Sequence, residues 1–351
     1  MRIREMTPLE TFLNRHDDAA WRATVVELLP ETHEVDRNAV QVWFHFFPVA
    51  LLRAFERAAD PAALAVEWQM QGRWRLSEQI DSSHAFLYGH RFWPEARSAA
   101  VRLAESGEGF DGRTLADAVR EVTRTAAAAR EVTRTAAAAR GADTSLLAGI
   151  AAVALMTLQQ AGLAALKAAP GRVLIDDAHA GKTPEQVLRE RARDDSQGLL
   201  GFLRTTDKRW TVVWDENKDD CRFRVVDRQE VASGAATDKR PWHEVDPRCT
   251  VDEGPIPVQC RSASCGTCWV GVLGGAEKLS AVDARERRVM PLLGYIETDD
   301  PRPLIRLSCQ AQATGAVSVV VPPWNGYFGK YLKRQQQAAK GDEAAAEAAA
   351  G

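Results

Sequence analysis

A chain of 351 residues with 45% hydrophobic content is long enough to bury a sizeable core, and that length suggests two or three domains. The formal net charge of -3 and pI near 6.2 carry no basic excess, which argues against a nucleic-acid or anionic-membrane partner. Six cysteines are too few for a disulfide scaffold of this size, and the charged start from Met1 to Pro8 does not read as a secretory signal. A cytoplasmic protein with reduced thiols is expected.

Residues 1 to about 200 carry helical signals. Thr7-Pro8-Leu9-Glu10 combines an N-cap hydroxyl, proline at the first helical position and a carboxylate three residues after the cap, followed by Phe12 and Leu13 on an apolar face. Val40 to Arg57 holds Trp43, Phe44, Phe46, Phe47, Leu51, Leu52 and Phe55, reads as core, and should break or kink at Pro48. Residues 121–130 and 131–140 repeat the letters EVTRTAAAAR. That period is not a whole number of helical turns, so the charged stripe rotates between copies, and a solvated helix or spacer is predicted. Thr144 to Leu166 contains no charge and has the length of a membrane span. Gln159, Gln160, Gly149, Gly162 and the many alanines favour a helix buried in a bundle instead. Ala180-Gly181-Lys182-Thr183 ends like a phosphate-binding loop, yet the glycine needed five positions before Gly181 is Asp176, and the nucleotide reading fails. Thr183-Pro184-Glu185-Gln186 predicts a capping box opening a helix to about Arg193, and Gly198 to Leu203 reads as a hinge or docking segment.

From Arg209 the pattern alternates. Trp210 to Trp214 and Cys221 to Val226 predict a hairpin around the polar turn from Asp215 to Asp220. A long polar stretch containing Pro241-Trp242 precedes the cysteine loop. An apolar strand from Trp269 to Leu273, a helix near Ala281 to Leu293 opened by Ser280 and Asp283, and a closing strand from Val317 to Val321 follow. The polar tail beyond Trp324 is expected to fray or be disordered.

Cys260-Arg261-Ser262-Ala263-Ser264-Cys265-Gly266-Thr267-Cys268 has C-x4-C-x2-C spacing, and Cys309 follows the apolar run Pro303 to Ser308. Two irons bridged by two sulfides require four soft thiolates, and a loop of small residues lets three of them wrap the cluster while backbone N–H groups turn towards sulfur. A structural zinc site usually takes two C-x-x-C pairs, and only Cys265-Cys268 forms one.

The residues from about Trp210 to Pro323 resemble the plant-type [2Fe-2S] ferredoxin family, which has a β-grasp fold. The likeness rests on the opening hairpin, the Ile256-Pro257 lead into the first ligand, the C-R-x-x-x-C-G-x-C loop, and Arg306-Leu307-Ser308-Cys309-Gln310 before a valine strand. The resemblance implies that Cys260 and Cys265 bind one iron, that Cys268 and Cys309 bind the other, and that both irons lie near the surface. Three departures stand out: Ala263 replaces a usual glycine, Asp227 to Gln259 lacks the periodicity of the family's first helix, and the gap from Cys268 to Cys309 is long. The loop is therefore expected to be remodelled and that helix missing or moved.

Cys221 in a strand is expected to be a buried hydrophobe, and Cys249 in a polar loop an exposed thiol. His45, His84 and His90 lie among aromatics and read as hydrogen-bonded core residues rather than haem or quinone ligands; Asp176, Asp177 and His179 read as a cap after a strand at Val173 to Ile175. Acidic groups at Asp215, Glu216, Asp219 and Asp220, and at Glu297, Asp299 and Asp300, suit solvated turns or the steering of a basic redox partner. No nucleophile with an adjacent base and no flavin or nicotinamide fingerprint is legible, so independent catalysis is not expected.

The sequence thus predicts an α+β protein: an all-helical domain over 1–203, a β-grasp ferredoxin-like domain over 207–325, and a polar tail over 326–351. Its expected work is one-electron transfer through a [2Fe-2S] cluster on Cys260, Cys265, Cys268 and Cys309, with the helical domain docking a redox partner protein. The alternative is a sensing or scaffold protein in which the helical domain binds a partner and the cluster is regulatory or structural.

Overall fold

The computed structural model describes residues 6–70, 76–133, 143–192, 208–293, 299–326, 328–335 and 337–338. It is a mixed α+β structure, helical in the N-terminal half with a five-stranded mixed sheet in the C-terminal half, and its contacts divide it into two compact units.

The first unit comprises Met1–Ala58, Arg73–Glu190 and Glu216–Asp219. In chain order the helices are α1 (Pro8–Leu13), α2 (Asp18–Leu28), α3 (Glu34–Phe46) and α4 (Val49–Arg57), then α5 (Pro61–Glu67), which belongs to the second unit. Next come α6 (Trp93–Glu105), α7 (Leu115–Thr133), α8 (Ser145–Ala168), α9 (Asp177–Ala180) and α10 (Pro184–Ala192). Thr7 opens α1 with the expected capping box. The aromatic run breaks at Pro48, because proline lacks the N–H that would continue α3, and Asp18 accepts from the next two free donors, Val49 at 2.5 Å and Ala50 at 3.0 Å.

Most of α8 is buried: it is long and apolar enough to cross a membrane, and 78% of its most apolar window lies inside the structure. Its polar residues are cross-links. Trp21 Nε1 donates to Gln159 Oε1 at 2.6 Å, Gln159 Nε2 donates to the His16 carbonyl at 2.9 Å, and Gln160 Nε2 donates to the Phe47 carbonyl at 2.6 Å. At Gly162 the backbone turns left-handed, with φ 78°, and interrupts the helix; the freed N–H of Leu163 donates to the buried Glu10 carboxylate at 2.9 Å.

Two expectations for this unit are corrected. The first copy of the repeat is not solvated all round, because Val122 and Ala126, four residues apart, share a buried face of α7; the second copy beyond Thr133 lies outside the described residues, as does the segment from Gly198 to Leu203. Val173 to Ile175 forms no strand: it is irregular chain, and Asp176 precedes the single-turn α9. Thr183 does open α10, its N–H donating to Gln186 Oε1 at 2.7 Å and its hydroxyl accepting from the Gln186 N–H at 3.3 Å.

The second unit comprises Ala59–Gly72, Arg191–Asp215 and Asp220–Gly351. Its strands are β1 (Arg209–Val213), β2 (Arg222–Val226), β3 (Trp269–Gly274), β4 (Ile305–Leu307) and β5 (Val317–Val320), in the sheet order β2-β1-β5-β3-β4. The β1–β5 pair is parallel and the others antiparallel. Alternation puts Trp210, Val212, Phe223 and Val225 on the inner face of the hairpin, whose register pairs Trp210 with Val225 and Val212 with Phe223. Two short helices are α11 (Val231–Ala235) and α12 (Ala284–Val289). Helix α11 follows the hairpin closely, and only glycine fits at 234, where a Cβ would sit 2.1 Å from Val225.

The start of α12 is capped by Asp283, whose Oδ1 accepts from the Glu286 N–H at 2.6 Å, whereas Ser280 Oγ accepts from the Gln312 N–H at 3.2 Å. Beyond Trp324 the chain does not fray at once. Residues 328–335 are helical, and Phe328, 3% exposed, lies edge-on to both Trp324 and Trp68.

Candidate metal centre

Sheet register brings the distant cysteine to the loop. Strand β3 begins immediately after Cys268, and Trp269 pairs with Leu307 on β4; the ladder runs one step further, with the Ser308 N–H donating to the Cys268 carbonyl at 2.9 Å. Cys309 therefore lies beside Cys268. A buried ion pair anchors β4: Arg306 Nε and Nη2 donate to the Glu286 carboxylate at 3.0 and 2.9 Å, Arg306 Nη1 donates to the Ser280 carbonyl at 2.7 Å, and Glu286 also accepts from the Leu307 N–H at 2.7 Å.

The loop itself curls through left-handed residues at Arg261 (φ 51°), Ala263 (φ 56°) and Gly266 (φ 78°). Ala263 thus adopts the glycine-like conformation in spite of its methyl group. These turns direct amides at sulfur: the Ser262 and Ser264 N–H groups donate to Cys260 Sγ at 3.4 and 3.3 Å, and the Thr267 N–H donates to Cys265 Sγ at 3.4 Å. Gln310 Nε2 donates to Cys309 Sγ at 3.3 Å, and the Ala263 N–H helps to favour the thiolate form of that sulfur.

The four thiols lie close enough to act on one another: Cys260 with Cys265 and Cys268 with Cys309, and across these pairs Cys265 on Cys268 and Cys260 on Cys309. Burial pushes the Cys260 thiol up, but the Ser264 hydroxyl, the two amides and Cys265 outweigh it and bring it down to about 5. Its bond from Cys268 is the main cause that brings Cys309 down to about 7, while donating that bond, together with burial, holds Cys268 well above the usual thiol range. Cys260 and Cys265 are half-buried, and Cys268 and Cys309 are buried.

Among the described residues, no three His, Cys, Asp or Glu side chains converge as a set on one metal ion. Two pairs of soft sulfur donors, with amides already turned towards them and no carboxylate among them, suit a thiolate-bound binuclear iron centre in donor type. The hydroxyls of Thr267 and Ser308, each one residue before a member of the Cys268–Cys309 pair, are buried without a hydrogen-bond partner among the described residues.

The remaining candidates have other partners. Cys221 is buried in the hairpin, and Cys249 is buried as well, 5% exposed, contrary to the expected exposed thiol; burial pushes it up to about 12. His45 Nδ1 bonds the Gln41 carbonyl at 2.6 Å, and His179 Nε2 lies 3.2 Å from Asp219. His84 and His90 face each other, Nδ1 to Nδ1 at 2.7 Å, and form a closed chain: the Leu174 N–H donates to His90 Nε2 at 2.8 Å, and His84 Nε2 meets the Ile80 carbonyl at 2.9 Å. Asp220 pairs with Arg240, Asp300 accepts from the Arg302 N–H at 2.8 Å, and Glu297 lies outside the described residues. The Arg306–Glu286 pair is not legible as a site element in the sequence, where its signals are the apolar run Pro303 to Ser308 and the arginine directly before Leu307-Ser308-Cys309. No family model, curated protein or solved structure matches this chain.

Proposed function

We propose that the protein transfers single electrons through a plant-type [2Fe-2S] cluster bound by Cys260, Cys265, Cys268 and Cys309, in a β-grasp ferredoxin-like unit, while the helical unit docks a redox partner protein. The observation that carries this reading is the pairing of a far cysteine, Cys309, with the last cysteine of a C-x4-C-x2-C loop, beside a second pair whose sulfurs accept backbone N–H groups. The mixed sheet with its parallel β1–β5 pair and short helices is compatible with the β-grasp expectation.

Bound at these residues, such a cluster would supply a one-electron couple, with no atom transferred. The chain's own residues hold thiolate charge with amide donors, and the half-buried Cys260 and Cys265 would keep one side of a bound centre close to the surface. Free thiols of this kind suit a reducing, cytoplasmic setting.

Anaerobic reconstitution tests the reading. Brown protein with iron and acid-labile sulfide in equal amounts, bleached by dithionite and giving a rhombic EPR signal when reduced, is expected. Cys309→Ala should lose these signatures and Cys249→Ala should keep them. Colourless protein carrying one tetrahedral zinc, or iron without sulfide, defeats the proposal.

A further inference from the structure

The cysteine loop is held by two segments that lie far from it in sequence. One is the end of α5 and the residues after it: the Trp68 carbonyl accepts from the Asn325 N–H at 3.4 Å, and Gln69 Oε1 accepts from both Asn325 Nδ2 at 3.0 Å and Gln259 Nε2 at 3.3 Å. Gln259 immediately precedes Cys260. The other segment is the start of the tail, where the Gly326 N–H donates to the Gly266 carbonyl at 3.2 Å and Lys330 Nζ donates to the Ser264 carbonyl at 3.4 Å. Trp269, next to Cys268, donates from Nε1 to the Trp324 carbonyl at 2.8 Å. Trp68 closes the assembly by packing edge-on to Phe328 and Tyr331, both ring centroids at 5.1 Å.

Every part of the loop is therefore touched: its entry at Gln259, its middle at Ser264 and Gly266, and its exit at Trp269. Gln69 makes its two bonds from a left-handed backbone, φ 50°, that glutamine rarely takes, and Asn325 is fully buried. Strain in a non-glycine residue persists where surrounding contacts over-determine it, and here they converge on the flank of the first cysteine.

We propose that Gln69 and Asn325 are positioning residues: with Trp68 and Phe328 they form a clamp that fixes the cysteine loop in its metal-holding shape and slows release of the bound centre. This inference rests on the cluster reading above. Residues 59–72 then serve the cysteine loop of the unit to which they belong rather than the helical unit that flanks them in sequence.

The test uses the full chain, reconstituted anaerobically, with loss of visible absorbance followed under a fixed excess of an iron chelator. Gln69→Ala and Asn325→Ala, each removing partners of about one to two hydrogen bonds, should accelerate bleaching about tenfold. Gln69→Glu, which keeps the acceptor oxygen, should bleach at the wild-type rate, and Gln69→Gly, which relaxes the backbone but lacks the oxygen, should bleach like the alanine variant. Hydrogen exchange of the 262–267 amides in the metal-free chain supplies a second readout and should rise in the same variants. Glu105→Ala removes an exposed ion pair with Lys167 in the helical unit and should change neither readout. Unchanged bleaching and exchange in the alanine and glycine variants overturn the clamp while leaving the cluster reading intact. A wild-type chain that takes up no iron and sulfide overturns the cluster reading itself, and exchange at the loop then decides whether the clamp exists without it.

Discussion

The buried pair of His84 and His90 makes the helical unit acid-sensitive in a calculable way. Both rings are fully buried, and the chain of bonds from the Leu174 N–H through the two rings to the Ile80 carbonyl is complete only when both are neutral. Burial brings His90 from the usual 6.5 down to about 4, and burial together with the neighbouring ring holds His84 well below its ordinary value. A depressed folded-state value means that the unfolded chain binds protons first. The stability held by these groups is complete above pH 6.5 and falls as the pH drops through the window between 6.5 and about 4. For His90 alone the gap corresponds to about 3 kcal/mol, at about 1.4 kcal/mol per pH unit. Titrating together, the two rings should steepen the loss to about 2.7 kcal/mol per unit. Urea unfolding of the full chain from pH 7.5 to 4.5 should show that slope in near-UV circular dichroism, which reports on Trp93, whose ring lies tilted against His84 with centroids 4.0 Å apart. The double substitution His84→Gln and His90→Gln should flatten the excess slope. Native imidazole nitrogens that titrate near 6.5 by NMR, or a wild-type slope equal to that of the double variant, would refute the argument.

Three further substitutions probe other parts of the structure. Glu286→Ala leaves Arg306 buried without its carboxylate and should cost about 3–5 kcal/mol in urea unfolding, whereas the apolar pair Glu286→Leu with Arg306→Met should recover most of it; equal losses in the single and paired variants would contradict this. Trp21→Phe strips Gln159 of its donor and should cost about 1–3 kcal/mol, checked by thermal unfolding. Thr267→Val or Ser308→Ala removes a hydroxyl that has no partner among the described residues, so the stability of the metal-free chain should stay level or rise by up to about 1 kcal/mol. A loss above that range would mean that the hydroxyl is bonded after all.

Legibility in the sequence followed the reach of each signal. Caps at Thr7 and Thr183, the break at Pro48 and the hairpin strands were readable because each depends on residues within a few positions of one another. Helix α11 is not legible because five residues do not establish a period, nor is β4, whose three residues are too few to alternate visibly. Cys249 lies in a polar stretch yet is buried, since local composition does not register packing against residues distant in the chain. Residues 59–72 sit between helical segments in sequence, and only tertiary contacts from Trp68 and Gln69 reveal that they belong with the cysteine loop.

Ala263 shows how the loop tolerates a residue that local rules disfavour. A left-handed backbone costs a β-carbon about 1–2 kcal/mol relative to its usual conformations, which argues for glycine at this position. Glycine would in turn lose about 0.5–1 kcal/mol through the greater freedom of the unfolded chain, and about 0.8 kcal/mol from a methyl that is almost fully buried here. These opposing amounts nearly cancel, so alanine carries little net penalty here. Because Ala263 is 1% exposed, a larger side chain at this position would have to displace packed neighbours as well as adopt the left-handed backbone.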